Sequence, residues 1–328
     1  MNSSGQAAEA IAVEREQQPA ELSSPASLLT FIGSGTVGPI IAALGPRALR
    51  TNALTQRLPA YSPRTIYRHS RRLSELGLIE REETGGVPSS VLQRLSESGR
   101  DLYRLLDSYA KGDDGPEAGA MNGAAWTTCA SIGEMWELGW IQALGQRGRS
   151  ASELTAAASK LSRHQVANRT RQLQAWDLLH KSSVRGQEKR YQLSDRGRRG
   201  AALILALARW REQHVAGVAD AGLSPPEAAA ALRACLPLLK LPAHLEARLS
   251  FGVAGLGDEG SGDTATVSAH LHGGRVRCVK DPTDPDSWAA GTVKSWLGAI
   301  ADGKHSSLRT GGDRALVDAL LAQLHDIL

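Results

Sequence analysis

The sequence predicts an α+β protein in which one mostly helical unit occurs twice and a third, strand-bearing unit follows. Three observations carry that prediction. The first is a repeat. A shift of 100 positions lays Ile41-Ala42-Ala43-Leu44-Gly45 on Ile141-Gln142-Ala143-Leu144-Gly145 without a gap. The same shift pairs Gly33 with Gly133, Arg47 with Arg147, Leu54-Thr55 with Leu154-Thr155, Ser62 with Ser162, Arg71 with Arg171 and Leu78 with Leu178. Further on the offset falls to 98, so that Leu95, Ser96, Gly99 and Arg100 meet Leu193, Ser194, Gly197 and Arg198. A shorter loop in the second copy accounts for the change, at a hairpin tip where length is readily altered. The second observation is the distribution of charge. Residues 1–24 carry a net −3 and residues 224–328 a net −2, so the +4 of the whole chain leaves +9 on residues 25–223. A basic repeated half suits a nucleic-acid partner, joined to a part that is not one. The third is a change of character after Gly222, where Pro225-Pro226 opens an Ala-rich helix and strand alternation then follows.

Residues 1–24, rich in Ala, Glu, Gln and Ser, predict an unstructured tail. Helices are expected over 25–33, with Leu28, Leu29 and Ile32 on one side, then over 37–44 and 51–58. Ser62 is a good N-cap, and Pro63 suits the first helical position. In the helix that follows, Ile66, Leu73 and Leu76 make one apolar stripe. Its opposite face offers Arg64, Thr65, Arg68, Arg71 and Arg72, with Tyr67 beside them. Gly77 stops this helix, and a hairpin is expected over 78–95, turning at Thr84-Gly85-Gly86. A last helix runs over 96–109. A short capped helix with an arginine face, followed by a hairpin, reads as the recognition helix and wing of a winged helix-turn-helix. Residues 111–123 have the composition of a linker.

The second copy repeats this order. Ser150 with Glu153, and Ser162 with Gln165, have the spacing of capping boxes. Its recognition helix offers Arg163, His164, Gln165, Asn168 and Arg169, and its wing, 180–191, adds Lys181, Arg185, Lys189 and Arg190. The final helix reaches His214. On charge this second unit is the better DNA reader, because Glu80, Glu82 and Glu83 of the first wing repel phosphate unless they pair with Arg81 and Arg94.

Beyond Gly222, strands are expected over 248–254, 264–271 and 275–279. Helices are expected over 284–297 and 313–328, around a turn at Arg309-Thr310-Gly311-Gly312. The domain division that results is a tail at 1–24, winged-helix units at 25–110 and 124–216 joined by 111–123, and an α+β unit at 224–328.

Several chemistries are set aside. No apolar run has the length of a membrane span, and the polar N-terminus lacks the form of a signal peptide. Three cysteines at unrelated spacings suit a reducing cytoplasm, and Cys129 falls where the first copy has Leu29, a core position. Asp281, Asp284 and Asp286 lie in a Pro-bearing turn, and His270 and His272 alternate along a strand, which favours an ordinary surface over a metal site. Gly255, Gly257 and Gly260 match a dinucleotide fingerprint with no helix after it. No catalytic pairing of Ser, His, Asp or Cys is visible, so neither an enzyme nor a cofactor is expected. Abundant alanine, and arginine in excess of lysine, match a high-GC bacterial genome.

Residues 27–109 resemble the HxlR-type winged-helix regulators of bacteria, a branch near the MarR family. The resemblance is carried by Ser62-Pro63-Arg64-Thr65-Ile66, Leu73, Gly77-Leu78-Ile79, Val87-Pro88, Val91, Leu95-Ser96-Glu97 and Gly99. The first copy departs from that pattern. It lacks the tryptophan expected shortly after Gly33, has Ser70 for a core leucine, and has Ser90 and Gln93 where the wing usually carries a basic residue and a tyrosine. The second copy keeps Trp136 and Tyr191, and Thr170 repeats the unusual core position of Ser70. Residues 224–328 resemble a sterol-carrier-protein type of domain, through Leu271, Gly273-Gly274, Val276, Trp296-Leu297, Ile300, Gly303, Gly311-Gly312 and Leu316. That resemblance implies an apolar cavity for a lipid-like ligand, and Phe251, Trp288 and Trp296 are the candidates to line it.

Together these features predict a cytoplasmic, ligand-responsive transcription regulator. Its partners would be double-stranded DNA and an apolar small molecule, with no membrane contact. Two winged helices in one chain would stand in for the homodimer formed by single-unit relatives, so the chain would act as a monomer or as a homodimer. A second reading is a small-molecule-binding protein, or an enzyme descended from a regulator, that no longer binds DNA. The acidic first wing favours it, and the +9 of the repeats opposes it.

Overall fold

A computed structural model describes residues 19–45, 47–84, 90–111, 123–158, 160–182, 189–215, 222–255, 263–280 and 284–327. The first unit comprises α1 (Pro25–Gly33), α2 (Val37–Leu44), α3 (Thr51–Arg57), α4 (Pro63–Glu75) and α5 (Glu97–Lys111). Its wing is a sheet of order β1-β3-β2, with β1 at Leu49–Arg50, β2 at Ile79–Thr84 and β3 at Ser90–Leu95. The expected unstructured tail does not extend through 19–24. A 3-10 turn at Ala20–Leu22 buries Leu22, and Ser24 caps α1 by accepting from the Ser27 N–H at 3.0 Å. The low hydropathy of this stretch conceals one anchoring leucine.

The second unit contains α6 (Gly123–Glu137), α7 (Trp140–Gln146), α8 (Ala151–Ala157), α9 (Arg163–Ala175) and α10 (Asp195–His214), with the hairpin β4 (Leu179–Ser182) and β5 (Arg190–Leu193). Local chemistry repeats with the sequence. Leu49 pairs with Gln93 in the first unit, and Arg149 bridges Tyr191 in the second. The repeated Leu-Ser-x-x-Gly motif has a packing reason. A Cβ on Gly99 would stand 2.1 Å from the Leu78 carbonyl oxygen, and one on Gly197 2.2 Å from that of Leu178.

The two units are packed together, and their contacts exchange under the repeat offset. Helix α1 lies against α6 so closely that a Cβ on Gly33 would meet the Ala130 Cβ at 2.5 Å and the Trp126 carbonyl at 2.6 Å. A Cβ on Gly133 would meet the Thr30 hydroxyl and the Ala26 carbonyl, both at 2.7 Å. Residues 26 and 30 are the equivalents of 126 and 130. The final helices α5 and α10 also pack on each other. Tyr109 donates to the Arg196 carbonyl at 3.3 Å, and Trp210 donates to the Ser98 carbonyl at 2.9 Å. Ser98 and Arg196 are equivalent at offset 98.

The third unit begins with α11 (Pro225–Cys235), which packs on α7 and α10 of the second unit. A five-stranded sheet follows, ordered β10-β9-β6-β7-β8. Its strands are β6 (Ala247–Ala254), β7 (Thr264–His272), β8 (Arg275–Val279), β9 (Ser287–Thr292) and β10 (Arg309–Gly312). Helices α12 (Val293–Asp302) and α13 (Arg314–Ile327) complete it. Two expectations change here. Residues 287–292 form a strand parallel to β6 rather than the first half of a helix, and the turn at 309–312 is an edge strand. Ala289 and Ala290 favour helix by propensity, but Thr292 caps α12 and ends the strand before it.

No single helix among the described residues is long and apolar enough to cross a membrane. The expected linker between the winged units lies largely outside the described residues, as do Gly85-Gly86, Arg185, Asp281 and the Gly257–Gly260 part of the glycine motif. Burial raises the thiols of Cys129 and Cys235 to about 12 and that of Cys278 to about 11.

Candidate nucleic-acid interface

Helices α4 and α9 are built alike. The Ser62 hydroxyl accepts from the Thr65 N–H at 3.2 Å, and Ser162 with Gln165 makes a reciprocal capping box, with bonds of 2.8 and 3.3 Å. Ile66, Ser70 and Leu73 are buried on one, and Val166, Thr170 and Leu173 on the other. Each helix therefore fixes one face in its core and leaves the opposite face outward.

In the first unit Arg64 and Arg68 are exposed, and Tyr67 is 48% exposed between them. The Arg81 guanidinium of the wing stands 5.2 Å from the centre of the Tyr67 ring. His69 Nε2 lies 3.3 Å from Arg68, and burial, with the Arg68 charge, lowers the imidazole below its ordinary value. The remaining arginines are engaged. Arg71 pairs with Glu75 at 3.1 Å, and Arg72 is held by Glu21 at 2.5 Å and Glu75 at 3.3 Å. In the wing Glu80 pairs with Arg94 at 2.6 Å. Glu82 and Glu83 stay exposed and unpaired among the described residues. The acidic first wing is thus partly neutralised.

In the second unit Arg163 and His164 are exposed, and His164 shares a 3.0 Å hydrogen bond with Asn168. Lys181 and Lys189 are exposed on the wing. Two expected contacts turn inward. Arg169 is half-buried and forms an ion pair with Glu134 of α6. Arg190 donates to the Gly148 carbonyl at 2.9 Å and faces Glu153 at 3.8 Å. Gln165 is engaged as a cap, and the Thr65 hydroxyl sits 2.8 Å from Ser62. Arg171 lies outside the expected set. It is exposed, and its equivalence to Arg71 in the repeat is the signal that could have found it.

Among the described residues, the candidate ligand residues do not surround a cavity. Phe251 and Trp296 meet edge to face at 5.7 Å, and the Trp296 N–H donates to the Gly252 carbonyl at 2.8 Å. The space beside them is ≈ 10 Å³, so the core there is filled. Trp288 neighbours Ala289, which pairs with Phe251 across the sheet, so its side chain points to the opposite face, where it is 39% exposed. Of the side chains weighed as metal ligands, Asp286 and His272 have other partners. Arg248 holds Asp286 at 2.8 Å and pushes its carboxyl down to about 2, and His272 meets Glu246 at 2.9 Å.

Two capped helices with outward basic faces, each followed by a hairpin, define a protein with tandem winged helix-turn-helix units. The HxlR-like helix-turn-helix family model matches residues 32–113 and again 131–218, together just over half of the 328 residues. The chain belongs to that family, whose members point to DNA-binding transcription regulation rather than to enzymatic chemistry. No curated protein and no solved structure matches the chain.

Proposed function

We propose that the chain is a cytoplasmic transcription regulator whose two winged helices act as an intramolecular pseudo-dimer on DNA. The observation that carries this reading is the exchange of contacts between units, Gly33 on 126 and 130 against Gly133 on 26 and 30. Such reciprocity is the mark of an isologous interface. In the first unit Arg64 and Arg68 reach the major groove and its phosphates. In the second, Arg163, His164, Asn168 and Arg171 do so, while Lys181 and Lys189 hold adjacent backbone. The sterol-carrier-like reading of residues 224–328 is supported by a mixed five-stranded sheet with helices packed on it. Control by an apolar small molecule completes the proposal, bound elsewhere than in the filled core around Phe251 and Trp296.

The test is footprinting on genomic fragments at stoichiometric protein, with the mass of the complex measured in parallel. One chain should protect two unlike half-sites whose centres lie about one helical turn apart. Two chains on one palindrome would overturn the pseudo-dimer. Absence of salt-dependent binding to any fragment would overturn the DNA reading and leave the descendant that no longer binds DNA.

A further inference from the structure

An apolar cleft of ≈ 460 Å³ lies where the three units meet. Each unit supplies a wall. Leu105 comes from α5 of the first, Leu205 and Trp210 from α10 of the second, and Leu297 and Ile300 from α12 of the third. Trp210 is fixed by its bond to the Ser98 carbonyl, so this wall is rigid. The volume falls in the range of sites that enclose a small organic molecule.

The polar groups are arranged unevenly. Arg104 lines the cleft and is paired with Asp101 at 2.8 Å, which His214 also approaches at 3.2 Å. Arg209 lines it as well, and its partner Glu212 accepts from two cations, Arg209 at 3.0 Å and Lys294 at 3.0 Å. One carboxylate thus faces two permanent positive charges. The Nε of Arg209 is buried and has no hydrogen-bond partner among the described residues. The Arg209 side chain as a whole still lines the cleft, and an anionic ligand group there would accept a charge-assisted hydrogen bond from its guanidinium and neutralise the surplus charge.

We infer that this cleft binds a small amphipathic monocarboxylate, its apolar body between Leu105, Trp210 and Leu297 and its carboxylate on Arg209. Because the walls come from both winged units and from the third unit, occupancy changes how α5 and α10 are held together. That coupling to DNA rests on the function proposed above, whereas the site and its ligand class do not.

The probes are decanoate and 2-naphthoate, with decanol and 2-naphthol as neutral counterparts, titrated calorimetrically into the full chain. At least one acid should bind with one site per chain, and its neutral counterpart should bind at least about tenfold more weakly, as expected for loss of a charge-assisted hydrogen bond. Arg209→Gln should remove most of that difference. Ala206→Trp fills the cleft from α10, and Ala301→Trp fills it from the α12 side, where the residue is only half-buried. Each should weaken acid binding at least about tenfold, and the second keeps the test valid should the first fail to fold. Binding of neither acid, equal binding of acid and neutral probe, or undiminished binding in a folded Trp variant would overturn the site. Acid binding by a chain that binds no DNA would leave the site intact and overturn the regulator alone.

Discussion

The indole of Trp126 lies on Gly38, so near that a Cβ there would stand 2.3 Å from its ring. Trp126 belongs to the second unit and Gly38 to the first. The equivalent pair at the repeat offset is Ala26 and Leu138, so the interface is matched only as a first unit with a second. Two first units would set Ala26 over Gly38 and leave a void, and two second units would drive Trp126 into Leu138. The contact thus selects the pairing found within one chain. Gly38→Ala should lower stability by about 1–3 kcal/mol, and Trp126→Ala by about 3–5 kcal/mol. In the Trp126→Ala background Gly38→Ala should cost almost nothing. Urea unfolding of the four proteins measures the coupling, and equal costs in both backgrounds would show that the two residues do not act on each other.

Cations on the outer faces and cations tied inside should separate in DNA titrations. Arg64→Ala with Arg68→Ala should flatten the dependence of log affinity on log salt by about 0.9 for each phosphate left without its cation. Arg163→Ala should act similarly in the second unit. Arg169→Ala should instead reduce thermal stability, because it leaves Glu134 without its partner. An Arg169→Ala protein that melts like the parent yet loses salt dependence would reverse the assignment.

Glu21 holds Arg72 away from the outer face, and the Arg72 hydrogen bond keeps its carboxyl below the ordinary value of 4.5. A depressed folded-state value means that the pairing stabilises the fold fully above pH 4.5 and is lost as pH falls below it. Glu21→Gln should therefore shallow the loss of stability between about pH 5 and pH 3. It should also tighten DNA binding at neutral pH, since it removes a negative charge and leaves Arg72 paired with Glu75 alone. Unchanged affinity would show that Arg72 does not lie near DNA.

Two substitutions should stabilise. The hydroxyl of Ser70 is buried and has no hydrogen-bond partner among the described residues, while Thr170 at the equivalent place donates to the Val166 carbonyl at 3.0 Å. Ser70→Ala should gain about 1 kcal/mol. Asp177 has a φ of 54° where the first unit has Gly77 at 71°. Asp177→Gly should gain about 0.5–1 kcal/mol, because glycine carries no steric penalty in that conformation. Denaturant midpoints at or below the parent's would refute either expectation.

The repeat, the helix caps and the wings are legible in the sequence because they depend on local chemistry: Ser62-Pro63, the Ser162 and Gln165 spacing, Gly77. What the sequence conceals is set by distant partners. Nothing near Arg169 announces Glu134, and nothing near Arg72 announces Glu21, because both ion pairs form only once separate segments meet. Strand β9 is hidden for a related reason, since Ala289 becomes strand only by pairing beside Phe251. Phe251 and Trp296 do lie on apolar faces, but sequence cannot tell a lined cavity from a filled core.

If the cleft inferred above takes an effector, one cleft for two winged units would set the shape of a dose response. A homodimeric regulator carries two equivalent effector sites, and the first occupant can ease the second, giving a sharp threshold. Here the third unit packs on the second winged unit and the cleft forms once per chain. If the chain acts alone on DNA and the cleft takes an effector, as proposed above, occupancy follows a simple hyperbola, and a promoter under its control would be tuned in proportion to effector and not switched.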